Sequence, residues 1–175
     1  MATWKIDPVH SDIEFKIRHL MITNVTGYFN KYDATVESSN DDFSDAKISF
    51  TADVTGISTK NEQRDQHLQS EDFFHAAQYP AITFASTNIK KVNDEEYKIS
   101  GDLTMRGVTK PVDLNVTYGG IVKDQYGQTK AGFELSGKLN RKDFGIAFNA
   151  ATDAGGVMLS DEVKFYADVQ LIKQA

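Results

Sequence analysis

The 175-residue chain has no cysteine, three prolines and one tryptophan. Without cysteine there is no disulfide, no thiolate nucleophile and no zinc–thiolate centre. Basic residues are in deficit too: 19 Lys and Arg stand against 25 Asp and Glu, for a net charge of −6. A nucleic-acid binder needs a basic excess, so that class is set aside. No apolar run approaches the roughly 20 residues of a spanning helix, so no integral membrane segment is expected. The opening Met-Ala-Thr-Trp-Lys-Ile-Asp-Pro carries no basic-then-apolar leader, and the cytoplasm is the expected compartment, with a trimmed exported protein as the alternative. The usual catalytic motifs are missing as well: there is no G-x-S-x-G, no H-E-x-x-H and no phosphate-cradling glycine loop.

What the chain has is alternation. Ile13, Phe15, Ile17 and His19 alternate with polar neighbours, as in a half-buried strand. The second strand runs from about Val25 to Val36. Phe29 and Tyr32 are three apart, so both face inward only across a bulge. The third strand puts Ile48, Phe50, Ala52 and Val54 on one face, and the fourth Ile82, Phe84 and Ser86. The fifth offers Tyr97, Ile99, Gly101, Leu103 and Met105. Arg106 to Lys110 turns the chain, and Pro111 opens the sixth, with Val112, Leu114, Val116 and Tyr118 inward. The seventh has Ala131, Phe133, Leu135, Gly137 and Leu139. A long loop runs from Asn140 to about Leu159 before the eighth, with Val163, Phe165, Ala167, Val169 and Leu171. Ser38 to Asp45 reads as an acidic turn.

One stretch breaks the β pattern. Thr59 with Glu62 forms a capping box, which starts a helix near Lys60. Leu68 is the helix's apolar contact, Phe73-Phe74 gives a second turn something to bury, and Pro80 ends the insert. The fold class expected is all-β: an eight-stranded antiparallel up-and-down (lipocalin-like) barrel with a helical lid insert between strands 3 and 4, in a single domain over residues 1–175. A two-sheet sandwich satisfies the same alternation.

In an up-and-down barrel alternate connections share an end. Leu20–Asn24, Ile57–Pro80, Arg106–Lys110 and Asn140–Leu159 then meet, and bring Arg64, Arg106 and Arg141 to one mouth. Ala52, Gly101, Gly137 and Ala167 are small inward positions set among Phe15, Phe50, Phe84, Phe133 and Phe165. Small residues opposite rings leave an elongated apolar cavity; alternatively, the glycines serve only to bend strands. Such a cavity suits a hydrocarbon chain. Four histidines, His10, His19, His67 and His75, stand in no metal-ligand spacing, and no buried acid pair is visible, so neither catalytic nor metal-binding residues are assigned.

The blocks Asp7-Pro8-Val9-His10-Ser11, Ile13-x-Phe15-x-Ile17-x-His19-Leu20 and Val25-x-Gly27-x-Phe29 resemble the opening of the YceI family of polyisoprenoid-binding proteins. The resemblance continues through Arg64-Asp65-x-His67-Leu68, Phe73-Phe74 and Tyr79-Pro80-x-Ile82-x-Phe84. Gly101-Asp102-Leu103-Thr104, Gly107-Val108-Thr109-Lys110-Pro111-Val112 and Asn140-Arg141-x-Asp143-Phe144-Gly145 complete it. His75 departs from the family's frequent acidic residue. The resemblance implies a lipocalin-like barrel, often a homodimer, with a polyisoprenoid such as a prenyl quinone tail as bound lipid and no catalytic cofactor. Ligand-lining residues would be Phe15, Ile17, His19, Phe29, Phe50, Ala52, Val54, Phe73, Phe74, Phe84, Leu103, Met105, Leu114, Val116, Phe133, Leu135, Gly137, Phe144 and Phe165. Arg64, Asp65, His67, Leu68, Arg106, Arg141 and Asp143 would form the lid and mouth, with Arg141 and Asp143 as a charge-assisted pair. Two other readings stand beside the carrier. One is an interaction protein with a filled lumen; the other is an enzyme on a prenyl lipid using His19, His67 or Arg141.

Overall fold

A computed structural model describes residues 1–149 and 159–175. The strands are β1 (Ala2–Ile6), β2 (Asp12–His19), β3 (Thr23–Phe29), β4 (Tyr32–Ser38), β5 (Lys47–Asp53), β6 (Ile57–Ser58), β7 (Ala81–Lys91), β8 (Glu96–Met105), β9 (Val108–Lys123), β10 (Thr129–Asn140) and β11 (Leu159–Lys173). One α-helix, α1 (Glu62–Gln69), lies between β6 and β7. Every pairing is antiparallel, and the sheet closes on itself where β1 meets β11. Eight staves make the ring, because β1 with β2, β3 with β4 and β5 with β6 are each one stave interrupted by a short irregular segment. The result is a closed up-and-down barrel rather than a sandwich of two sheets.

The interruption in the first stave explains the Asp7–Ser11 block. The Asp7 carboxylate accepts from the Val9 amide at 3.1 Å and caps a 3₁₀ turn over Pro8–His10. The turn is pinned to β11: the Asp7 amide donates to the Gln170 carbonyl at 2.8 Å, and the Gln170 amide to Ser11 Oγ at 3.1 Å. β11 therefore pairs with β2 through Leu159–Asp168 and with β1 through Leu171–Lys173. β1 does not appear in the eight strands read from the sequence. Only Trp4 and Ile6 of it are buried, too few for periodicity to register.

Other boundaries also move. The bulge expected between Phe29 and Tyr32 is a full break at Asn30 and Lys31. The Asn30 amide turns to the Gly56 carbonyl at 3.0 Å, and the Lys31 carbonyl takes the Asp53 amide at 2.8 Å. The β8–β9 turn is only Arg106-Gly107, at φ 52° and 73°, a two-residue hairpin. β9 consequently begins at Val108, ahead of Pro111. The helix starts later than its capping box implied: Asn61 is the N-cap, accepting from the Arg64 amide at 3.0 Å. Part of the loop expected from Asn140 to Leu159, residues 150–158, lies outside the described residues.

Three glycines set the inner shape of the wall. A Cβ on Gly27 would stand 2.2 Å from Phe15 Cζ, one on Gly101 2.3 Å from Phe84 Cζ, and one on Gly137 2.3 Å from Phe165 Cζ. In each case a phenylalanine of the neighbouring strand lies flat across the bare backbone. The rings therefore line the wall without crossing the lumen.

Candidate functional site

The inward faces enclose an apolar cavity of about 460 Å³. Its wall includes Phe15, Ile17, His19, Phe29, Phe50, Ala52, Phe84, Leu103, Met105, Leu114, Val116, Phe133, Leu135 and Phe165. Phe73 and Phe74 close it from the lid. Phe15, Phe29, Phe50, Leu103, Leu114, Phe133 and Leu135 are only partly buried, although they point inward. The area they leave uncovered faces a lumen that protein side chains do not fill.

Three residues assigned to the lining lie elsewhere. Val54, 1% exposed, leaves the strand in a 3₁₀ turn and packs in the core. Phe144, also 1% exposed, anchors the 3₁₀ turn Arg141–Phe144 from below. Gly137 is covered by the Phe165 ring, which takes its place on the wall. Conversely, Phe43, Ala46, Tyr97, Phe148, Leu159 and Leu171 border the cavity and were not among the assigned residues. Phe43 sits in what reads as an acidic turn. Phe148 and Leu159 flank the long loop, where no period-two signal operates. Tyr97 and Leu171 had the right phase, at the strand ends.

Apart from Tyr97, the polar residues bordering the cavity are Glu14, His19, Thr59, Arg64, His67 and Arg141. All but Glu14 lie at the lidded end. The lid holds itself together there by a clamp on Thr59, which is 5% exposed. Asp65 Oδ1 accepts from the Thr59 amide at 2.7 Å and the Thr59 hydroxyl at 2.6 Å. Arg64 Nε donates to Thr59 Oγ1 at 2.8 Å, and Nη2 to its carbonyl at 2.8 Å. Every polar group of a buried threonine is thereby satisfied. The Arg64-Asp65 pair thus holds the lid in place. His67 Nε2 lies 2.8 Å from Asp72 Oδ2, and its ring meets the Phe73 and Phe148 rings edge-on at 4.9 and 5.0 Å. Leu68 is half-buried against the core.

Arg106 reaches across from the β8–β9 turn and donates Nη1 to the carbonyls of Glu71 and Phe73. Arg141 is 2% exposed. Its Nε donates to the Ser160 carbonyl at 2.9 Å, and Nη1 donates to Ile146 at 2.9 Å and Phe148 at 2.7 Å. The expected pair with Asp143 is absent. Asp143 is exposed on the 3₁₀ turn, and the carboxylate near Arg141 is Asp161, 4.0 Å from Nη2. Among the described residues Nη2 has no hydrogen-bond partner. Burial pulls the Arg141 guanidinium below the ordinary arginine value, with Asp161 opposing. The three arginines do share one end, as the topology required. Each is committed to loop carbonyls or to Thr59, because these connections leave backbone acceptors that the barrel wall cannot serve. Among the described residues no group of three or more His, Asp or Glu side chains is placed to hold a metal, and none of their helices is long and apolar enough to cross a membrane.

The family model for the YceI-like domain matches residues 4–171. A UPF0312 protein of Staphylococcus aureus is 39% identical over 171 residues, 97% of each chain. A crystal structure of a YceI protein from Campylobacter jejuni aligns at 36% identity and a TM-score of 0.78, covering 91% of both chains. BcnA of Burkholderia cenocepacia aligns with a TM-score of 0.82 at 21% identity, over 94% of this chain and 98% of that one. A polyisoprenoid binding domain from Saccharophagus degradans aligns with a TM-score of 0.74 at 11% identity, over 98% of each. At those last two identities the likeness is one of fold.

Proposed function

The chain belongs to the YceI-like family, and from that premise we propose that it binds and carries a long polyisoprenoid lipid, such as a prenyl quinone, with the tail in its barrel lumen. One observation carries the reading: inward-facing phenylalanines and leucines remain partly uncovered along the wall of an apolar cavity of about 460 Å³. Apolar surface kept from water at about 25 cal/mol per Å² favours any hydrocarbon that covers it. The wall has no directional groups along most of its length, which suits a repeating apolar chain. The Saccharophagus degradans domain, a polyisoprenoid binder by its own description, supports the ligand class through the shared barrel. Family and neighbours suggest a binding protein rather than an enzyme.

The polar head would sit at the lidded mouth. His19, His67 and Arg141 border the cavity there, and the unbonded Arg141 Nη2 offers a donor. Exchange would require the segment from Lys60 to Tyr79 to swing off the rim. The test is organic extraction of freshly purified protein followed by mass spectrometry, with a parallel incubation in prenyl quinone. A stoichiometric prenyl species in either extract is the expected result. Clean extracts from both would overturn the reading.

A further inference from the structure

We infer that Phe43 is the floor of the lumen and sets the longest isoprenoid chain the barrel accepts, an inference that rests on the lipid-binding reading above. Phe43 belongs to the connection between β4 and β5, at the end of the barrel opposite the lid. Its neighbours Asn40, Asp41, Asp42 and Ser44 are those of a solvated turn. Phe43 instead points inward: it is 3% exposed and borders the cavity. Its ring packs against Trp4 at 5.1 Å, Tyr118 at 5.7 Å and Phe133 at 5.0 Å between centroids. The backbone there has φ 61°, an outlier for a bulky side chain, so the ring is held in place at the expense of an unfavourable backbone.

The loop that carries the ring is fastened from several sides. The Asp45 carboxylate accepts from Ser38 Oγ at 2.6 Å and from the amides of Ser39 and Asn40 at 2.8 and 3.2 Å. Lys91 Nζ donates to Asp42 at 3.0 Å. From the wall, the Tyr97 and Tyr118 hydroxyls donate to the carbonyls of Asp42 and Asp41. β1, β7, β8, β9 and β10 therefore all hold the plug. The lid closes the other end through contacts confined to the rim, so the lumen has one end built to open and one built to stay shut.

A chain entering past the lid ends at Phe43. From Leu139 at the rim to Phe133 beside Phe43 is six residues of β10, about 20 Å along the strand. With the tilt of a barrel stave the axial depth is about 15 Å. Each further methylene buried is worth about fourfold in affinity, so one more five-carbon isoprene unit admitted past the floor gains on the order of a thousandfold before ordering costs.

The experiment loads purified full-length protein with farnesol, geranylgeraniol and solanesol in competition, then extracts and quantifies the bound alcohol. Two variants move the floor in opposite directions. Phe43→Gly removes the ring and suits the left-handed backbone; Phe43→Trp raises the floor. Melting temperatures check that both fold. The wild type is expected to select one length, Phe43→Gly to shift the selection at least about tenfold toward longer chains, and Phe43→Trp toward shorter ones. The same length preference in all three folded proteins, or no preference in the wild type, overturns the inference while leaving lipid binding intact. A wild type that takes none of the alcohols fails at the lipid-binding reading itself, and the inference falls with it. If Phe43→Gly does not fold, Phe43→Trp decides alone.

Discussion

Adding one methyl group to each of the three wall glycines should separate stability from capacity. The nearest atoms to a methyl at Gly27 belong to the Phe15 ring, at 2.2 and 2.3 Å. Normal contact between carbons is about 3.5–4.0 Å, so the ring must retreat by about 1.5 Å. It has somewhere to go, because its other side faces the lumen. A rotamer adjustment of that kind costs about 0.5–1.5 kcal/mol. Replacing glycine by alanine returns about 0.4–1 kcal/mol through the unfolded chain, provided the native backbone suits alanine. Gly27→Ala should therefore change stability by less than about 1 kcal/mol. Gly137→Ala meets Phe165 at 2.3 Å and also the Asp113 carbonyl at 3.1 Å, and should cost slightly more. Gly101→Ala meets the Ala85 carbonyl at 2.6 Å, a backbone atom that cannot pivot, and should cost about 3 kcal/mol, the upper range for overpacking. Urea unfolding measures the three costs, and the amount of farnesol bound at saturation measures the lumen. Gly27→Ala and Gly137→Ala should fold normally and hold less farnesol, and adding Phe165→Leu to Gly137→Ala should restore the capacity. Equal costs at all three positions would refute the argument. So would unchanged capacity in Gly27→Ala and Gly137→Ala.

Three further outcomes follow from the lid, the hairpin tip and the floor loop. Arg106→Ala removes the donor to the Glu71 and Phe73 carbonyls, worth about 2 kcal/mol for charge-assisted bonds at a half-exposed site; hydrogen exchange across residues 62–79 should then quicken roughly 30-fold, with the barrel amides unchanged. The β2–β3 turn places Leu20 and Met21 at φ 53° and 61°, 42% and 54% exposed, where Asn-Gly is favoured. Leu20→Asn with Met21→Gly should raise the melting temperature by about 3–5 °C in a thermal scan. Asp42 and Asp45 are held at about 2 against an ordinary 3.8, Asp42 by Ser44 and Lys91, Asp45 by the Ser38 hydroxyl and the Ser39 amide. Both values are depressed on folding, so their contribution is in place above pH 3.8 and is lost as the pH falls through about 2. Melting temperatures measured down that range should fall less steeply in Asp45→Asn than in the wild type.

The barrel was legible because each of its staves shows its inside every second residue. Phe15, Phe50, Phe84, Leu103, Leu114, Phe133 and Phe165 were assigned to the lumen from phase alone, and the structure sets them on its wall. Phase fails where the chain leaves the strand. Val54 keeps the period of β5 but turns away in a 3₁₀ bend. Gly137 has the right phase but no side chain to contribute, and its neighbour supplies the surface. Phe144 lies in a turn, where an apolar residue in sequence does not reveal which side it packs on. Phe43 was hidden for the opposite reason. Its acidic, polar surroundings announce a solvated loop, and only the left-handed backbone turns its ring inward. Arg141 was given Asp143 as its partner by the family resemblance, but the acceptors it takes are carbonyls of Ile146, Phe148 and Ser160, which no spacing rule exposes.

The seam between β1 and β11 bears on how the barrel is made. Trp4 pairs with Lys173, so the ring is closed by strands from opposite ends of the sequence. Hairpins such as β8–β9 and β9–β10 can form as soon as both arms exist, whereas the seam waits for nearly the whole chain. During that interval β10 and the first stave are open edges with their inward phenylalanines unshielded, the condition in which sheets pair with the wrong neighbour. The slowest and most aggregation-exposed step in folding should therefore be registration of β11, far from the lid that governs exchange in the finished protein. Substitutions at the seam would show up as poor yield of soluble protein, whereas those at the rim would show up as altered exchange.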